Sequence, residues 1–440
     1  MASALDAVLQ VAMGRMTADP QERRNVFWLT LAYLFSGTGA ALFGGDLWNG
    51  FLTQTGFSLA RVGWVGSAAG LANAFGLIAF MGLADRLQRR VRTYVICISV
   101  TALAPLLTVG VAVIPRVAFP LSALFVTLLL VVIVQALITA IPVMLDYPVL
   151  ARAAPVGIRG RLFGITTTAY GLLGIGLGWL SAGVLKNVTY PLGYAWCFLA
   201  AAAAITLRAA SFSRIRELPE LAVDGASRSA LPFAAIVDVL RLKEFQWLAG
   251  PHVVRGLAMS VVTLAVPVGM RHLGLPKHYP GYATSIATLA MVLGGVAVGL
   301  IADRWGPAST TLWGDVLYAL GMAMVALTGG HPVAFLCLYL LMQFGRFIED
   351  NSVPLGAINI VPAEHLGAFS AARLMILYGS GAIGAPLFGY LADHCDPVIV
   401  FGAAACIKAL TGLWFCLVFQ RKPPTPPRHA EPMGEPEGEA

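Results

Sequence analysis

Twelve stretches of this chain run for about twenty residues or more with almost nothing but apolar side chains. They lie at approximately 26–51, 62–83, 94–114, 121–145, 163–185, 192–212, 246–270, 281–302, 310–329, 333–361, 369–391 and 398–419. A helix of that length spans the roughly 30 Å hydrocarbon core of a bilayer, and in lipid only a helix or a closed barrel can satisfy its own backbone hydrogen bonds. The pattern predicts an all-α membrane protein with twelve transmembrane helices. Charged residues make up 12% of the 440, against about 25% in a soluble domain, so most of the surface must meet lipid.

The longest polar connection, 213–245, separates six spans from six. The expected organisation is an N-terminal segment 1–24, a six-helix bundle 25–212, the central loop 213–245, a second six-helix bundle 246–420 and a disordered tail 421–440, which is rich in Pro and Glu. Of the 29 lysines and arginines, 21 fall in the segments on one side, five on the other (Arg61, Arg116, Lys186, Arg271, Lys277) and three within spans (Arg255, Arg346, Lys408). Positive residues stay inside, so both chain ends are expected in the cytoplasm. That asymmetry accounts for the net charge of +7 without nucleic acid as a partner. The partners expected are a lipid bilayer and a small solute, for a monomer in a bacterial cytoplasmic membrane.

Residues 1–16 lack the basic start and apolar core of a cleavable leader; Leu5, Val8, Leu9, Ala12, Met13 and Met16 have the spacing of a short helix on the membrane surface, with a disordered terminus as the alternative. The six cysteines show no metal spacing and are expected as small buried hydrophobes, with no metal and no cofactor. There is no GxSxG, HExxH or Walker loop, so neither an enzyme nor an ATP-driven pump is indicated.

The halves repeat. GLADRLQRR, from Gly82 to Arg90, follows the second span and GLIADRWG, from Gly299 to Gly306, the eighth, with Asp85 and Asp303 separated by 218 residues. YGLLGIG at Tyr170 answers YGSGAIG at Tyr378, and Pro155 and Gly160 answer Pro362 and Gly367 at nearly the same offset.

Twelve spans, a central loop and an acidic-basic turn after spans two and eight resemble the major facilitator superfamily over roughly residues 25–420. The family's loop has the form GxLADRxGRR; the second copy here fits it well, and the first departs at Met81 and Gln88. The resemblance implies two pseudo-symmetric six-helix bundles with spans one, four, seven and ten around a central cavity. It also implies a gating role for Asp85, Arg86, Asp303 and Arg304, with Asp85 facing the start of span eleven near Arg373 and Asp303 the start of span five near Arg161. A helix N-terminus attracts an anion, which gives such a lock its physical basis.

Charges within the spans cluster on the helices so implied. Asp46 lies in span one, Asp146 at the inner end of span four, Arg255 in span seven, and Arg346, Glu349 and Asp350 in span ten. Each costs at least roughly 2.5 to 3.5 kcal/mol near a bilayer centre, so these residues must face protein or water and are functional candidates. Arg346, Glu349 and Asp350 share a helical face at i, i+3 and i+4, continued by Gln343 and Tyr339. Gln135, Thr139, Pro142 and Asp146 form a stripe on span four, and His252, Arg255, Met259 and Thr263 one on span seven. Gln135 and Gln343 are 208 residues apart, yet Ile138 stands where the duplicate has Arg346, so the chemistry is expected mainly in the C-terminal half.

Glu349 or Asp350 is the expected proton carrier, since one Arg346 neutralises only one of them; Asp46 is a second candidate. Arg255 and Arg346 either hold a substrate anion or pair with these carboxylates. Asp146 is expected to gate, and His252 to pack. Asp315 and Arg373 are expected to reach water at the inner helix ends, while Lys408, midway along span twelve, has no account from sequence. The RxxQG and GP patterns of drug and proton antiporters are missing, with Val132 and Ala136 around Gln135 and GLLGIGLGW in span five. The reading is proton-coupled transport of a small polar solute, sugar-like or carboxylate-bearing, by alternating access. A uniporter with a structural ion network, a drug exporter and a non-transporting sensor are the alternatives.

Overall fold

The computed structural model describes residues 20–80, 90–113, 120–153, 159–216, 232–358 and 366–420. Every element among them is helical. Eleven stretches are long and apolar enough to cross a membrane, and one of these, Tyr279–Thr328, is long enough to cross twice. Its hydrogen bonding runs on through Tyr279–Val325, but Gly306 breaks it at φ 76°, ψ 166°, followed at once by Pro307. A side chain at Gly306 would be strained at that φ, and proline cannot donate to the preceding turn. The last glycine of the repeated loop motif is thus the hinge between spans eight and nine, and twelve crossings are recovered.

Three other spans are composite. Span one is Pro20–Phe43 followed by Gly45–Thr55, with extended backbone at Gly44. Span three is Arg90–Thr101 and Leu103–Val113; span seven is Lys243–Met259, a 3-10 turn Ser260–Leu264 and Ala265–Arg271. Spans two, four, five and six are Leu59–Ala79, Leu121–Ala153, Arg159–Asn187 and Leu192–Phe212; spans ten, eleven and twelve are Pro332–Ile358, Leu366–His394 and Pro397–Gln420. A short helix, Pro232–Arg241, precedes span seven inside the central loop.

The two halves meet along two helix pairs, span two against span eleven and span five against span eight. Small residues allow the approach: a side-chain carbon on Gly63 would collide with the Ala385 carbonyl, and one on Gly281 with the Ala182 backbone. Small-residue contacts of this kind replace the hydrophobic drive that is absent between helices in lipid. The outer surface is apolar, with Trp64, Phe75, Val296, Leu300, Ile383 and Leu410 more than half exposed, as a lipid-facing surface requires. Cys337, Cys395 and Cys406 are exposed as well, so the expectation of burial holds for Cys97, Cys197 and Cys416 alone. The N-terminal segment to residue 19, the first loop motif with Asp85 and Arg86, and the tail after residue 420 lie outside the described residues.

Candidate functional site

The break in span one places Asp46 in the first turn of the half-helix Gly45–Thr55, away from the end of the span. Two small cavities flank span ten at this depth. One, about 140 Å³, is lined by Gly44, Gly45 and Asp46 of span one, Tyr170 and Gly174 of span five, Thr284, Thr288 and Met291 of span eight, and Phe347. The other, about 160 Å³, has Arg346 on its wall with Ser260, Thr263 and Met259 of span seven and Tyr378 of span eleven. Consecutive residues of span ten, Arg346 and Phe347, therefore look into different lobes. Small-molecule sites usually begin at about 300 Å³, so each lobe alone is smaller than such a site and the two together reach that size.

Hydrogen bonds join the lobes. Tyr339 Oη donates to Asp46 Oδ1 at 2.8 Å, Gln343 Nε2 donates to Tyr339 Oη at 2.6 Å, and Arg346 Nη1 reaches Gln343 Oε1 at 3.4 Å. The spacing of Tyr339, Gln343 and Arg346 at i, i+4 and i+7 brings the three into line.

Behind Arg346 lies a buried ion network held entirely by the C-terminal half. Arg255 Nε pairs with Glu349 Oε1, and Arg255 Nη2 with Asp350 Oδ1 at 2.6 Å. Lys408 Nζ lies 2.6 Å from Glu349 Oε1 and 2.7 Å from Asp315 Oδ1, above the Tyr318 ring. Arg346 Nε stands 3.5 Å from Asp350 Oδ2. Arg255, Asp315, Glu349 and Lys408 have no exposed side chain, whereas Arg346 is 28% exposed. Three carboxylates face three cations, so the cluster is neutral as a whole.

This geometry corrects several expectations. Glu349, three residues on from Arg346 and so about 60° round the helix from it, is held by Arg255 and Lys408 and not by Arg346. Of the three carboxylates expected as partners of Arg255, Glu349 and Asp350 pair with it and Asp46 does not. Asp315 is buried beside Lys408 and does not reach water, since span nine packs that residue against Gly412 of span twelve. Lys408 thereby gains its account as the central cation of the network. Gln135 is half-buried on span four and lines neither lobe. His252 is buried with Nδ1 on the Leu248 carbonyl and its ring edge-on to Phe415, as a packing residue.

The N-terminal half has a smaller counterpart. Tyr94 Oη donates to Asp146 Oδ1 at 2.5 Å, and Arg208 Nη2 lies 3.8 Å from the same oxygen, with its guanidinium over the Tyr94 and Phe212 rings. Among the described residues Asp146 thus ties spans three, four and six of its own half together. Asp303 and Arg304 are exposed in the last turn of span eight, Arg304 over Trp305, and Arg373 is half-buried on span eleven. The positions of the Arg161 side chain and of Asp85 lie outside the described residues.

At the face opposite Pro20 and Gln420, here called distal, the halves are joined directly. Asp393, at the end of span eleven, accepts the Leu59 and Ala60 backbone N–H groups at 3.0 and 2.9 Å, capping span two of the other half. Arg271 Nη1 donates to Asp393 Oδ1 at 2.9 Å. Asn49 donates to the Thr263 carbonyl at 3.0 Å and Gln54 to the Lys277 carbonyl at 2.7 Å. Together with the Tyr339–Asp46 bond, these contacts between halves lie from the depth of Asp46 to this face. Asp393 was not singled out by sequence, although LADH at Leu391–His394 repeats the LAD of the Asp85 motif on the opposite side.

The family model described as Major Facilitator Superfamily matches residues 29–348 and 248–437. Among solved structures, a mutant of the nucleoside transporter NupG is 14% identical, with a TM-score of 0.73 over 90% of this chain and 100% of that one. A D-xylose-proton symporter is 15% identical, with a TM-score of 0.68 over 89% and 96% of the two chains. The xylose transporter XylE from E. coli, in a partially occluded inward open conformation, is 13% identical, with a TM-score of 0.66 over 90% and 97%. At these identities the likeness is one of fold.

Proposed function

Because the chain belongs to the major facilitator superfamily of membrane transporters, we propose that it moves a small polar organic solute by alternating access, driven by a proton carried on Asp46. The single observation behind the coupling is the contrast among carboxylates at mid-membrane depth. Asp315, Glu349 and Asp350 each contact a cation within 2.7 Å or closer. Asp46 has only the Tyr339 hydroxyl at hydrogen-bond distance and no cation in ion-pair reach among the described residues. It is half-buried and lines a cavity, so water and a proton can reach it. A carboxylate paired with a buried cation, one for Asp315 and two each for Glu349 and Asp350, cannot take up a proton without leaving positive charge unpaired, which is costly in a low-dielectric interior. The role expected of Glu349 or Asp350 therefore passes to Asp46.

The solute is sugar-like or carboxylate-bearing. Arg346, the partly exposed cation of the network, supplies hydrogen-bond donors, and Ser260, Thr263 and Tyr378 line the same lobe with hydroxyls. That chemistry suits a polyhydroxylated solute, and a carboxylate would find a bidentate partner in the guanidinium. The nucleoside and xylose transporters with the same fold support the first class. The distal closure through Asp393, Asn49 and Gln54 serves as the outer gate. Lysine and arginine asymmetry supports a cytoplasmic location for both chain ends and for an inner gate at the loop motifs.

Reconstituted liposomes test the reading. Radiolabelled D-xylose, uridine and small carboxylates should include a solute that accumulates under an inward proton gradient and carries protons in with it. Flux indifferent to pH would leave the uniporter, for which the saturated network of Asp315, Glu349 and Lys408 already supplies a structural role.

A further inference from the structure

We infer that Tyr339 is the positioning residue that transmits the protonation of Asp46 to Arg346, and so links the proton lobe to the solute lobe. The inference rests on the assignment of the proton to Asp46. It is carried by the order of donors and acceptors between the lobes. The Arg346 guanidinium only donates, to Gln343 Oε1. The Gln343 amide then presents its N–H to Tyr339 Oη, and the one hydroxyl proton of Tyr339 goes to Asp46 Oδ1. A chain with this polarity ends on an acceptor, so it is complete only while Oδ1 of Asp46 carries no proton.

Nothing in the surroundings lets the chain relax freely. Tyr339 is fully buried, its ring stacked on Phe335 with centroids 5.8 Å apart and planes 9° from parallel. Gln343 is 3% exposed. When Asp46 takes a proton, a charge-assisted bond becomes a neutral one of roughly half the strength, or the new O–H donates to Tyr339 and the hydroxyl proton must turn elsewhere. Either change alters what Gln343 can offer Arg346. Asp46 and Tyr339 also belong to opposite halves, so the same event weakens a bond between spans one and ten. The titratable and charged groups that face Asp46 are Tyr339 and Arg346 from span ten and Tyr170 from span five; span eight presents Thr284, Thr288 and Met291. Arg346 is thus the charged group that can register the proton, and Tyr339 and Gln343 stand between them.

Infrared difference spectra of the reconstituted full-length protein, recorded between alkaline and acidic pH, read both ends of the chain without any solute. Protonation of Asp46 gives a carboxylic C=O band that Asp46→Asn removes. The guanidinium band that Arg346→Lys removes should respond at the same midpoint. In Tyr339→Phe the carboxylic band should persist and the guanidinium response should be lost. Gln343→Leu, which breaks the chain one link later and leaves the Tyr339–Asp46 bond in place, should give the same loss and guards against misfolding of the first variant. A guanidinium response of native size in a folded Tyr339→Phe or Gln343→Leu protein overturns the inference alone. Absence of any carboxylic band sensitive to Asp46→Asn overturns the proton assignment and the inference with it.

Discussion

Replacing Asp393 with alanine should open the distal face. In the closed arrangement its carboxylate caps span two through two backbone N–H groups at 3.0 and 2.9 Å and also holds Arg271. Losing a side-chain cap costs typically about 1 kcal/mol, within a range of 0.5 to 2. The carboxylate's charge at a helix N-terminus contributes roughly 0.3 to 1 kcal/mol more. Arg271 is 39% exposed, so screening leaves its pair at most about 0.5 kcal/mol. The total, about 2 kcal/mol, acts on the closed state alone, because opening separates span eleven from span two. Ser58, whose Oγ accepts the Arg61 N–H from its own helix, still caps span two in both states. A bias of that size changes the ratio of open to closed molecules by roughly 30-fold. Spin labels at Asn187→Cys and His331→Cys, exposed positions at the distal ends of spans five and ten, report it by electron-electron distance measurement once Cys337, Cys395 and Cys406 are replaced by serine. The longer distance should gain population in Asp393→Ala and gain less in Asp393→Asn, which keeps one acceptor. A distance ratio within twofold of the native one in Asp393→Ala would refute the latch.

Lys408→Met should lower stability by about 3 to 5 kcal/mol, because Asp315 and Glu349 are left facing each other without their shared cation. Adding Asp315→Asn should restore much of that loss; denaturant unfolding in detergent measures both, and a loss below about 1 kcal/mol for the single variant contradicts the charge balance. Gly63→Val should leave the protein folded but bar the distal face from closing, since its side chain meets the Ala385 carbonyl; the same spin labels should report the longer distance.

The twelve crossings, the six-and-six division and the special standing of span ten were all legible in the sequence, because hydropathy over about twenty residues is a local property. Pairing within the charged cluster was not. Helical spacing shows that Arg346 and Glu349 lie near the same face, yet it cannot show that Arg255 and Lys408, 94 and 59 residues away in sequence, approach Glu349 from the other side. Lys408 was visible as an anomalous charge, and an unexplained cation in one span with an unexplained carboxylate in another, Asp315, was the available signal. Asp393 escaped notice because a carboxylate near a helix end in a loop is ordinary; its partner is a helix start 334 residues away. Asp46 gained its standing by elimination, once the other carboxylates were seen to be paired.

The most direct measurement compares native protein with Asp46→Asn in liposomes containing a pH-sensitive dye, with a transported solute supplied outside. Native protein should acidify the lumen as solute enters and should accumulate solute against its gradient. Asp46→Asn should still exchange labelled solute for unlabelled across the membrane, with neither proton entry nor accumulation. Proton-driven accumulation of native extent in Asp46→Asn would contradict the assignment of the coupling proton to that carboxylate.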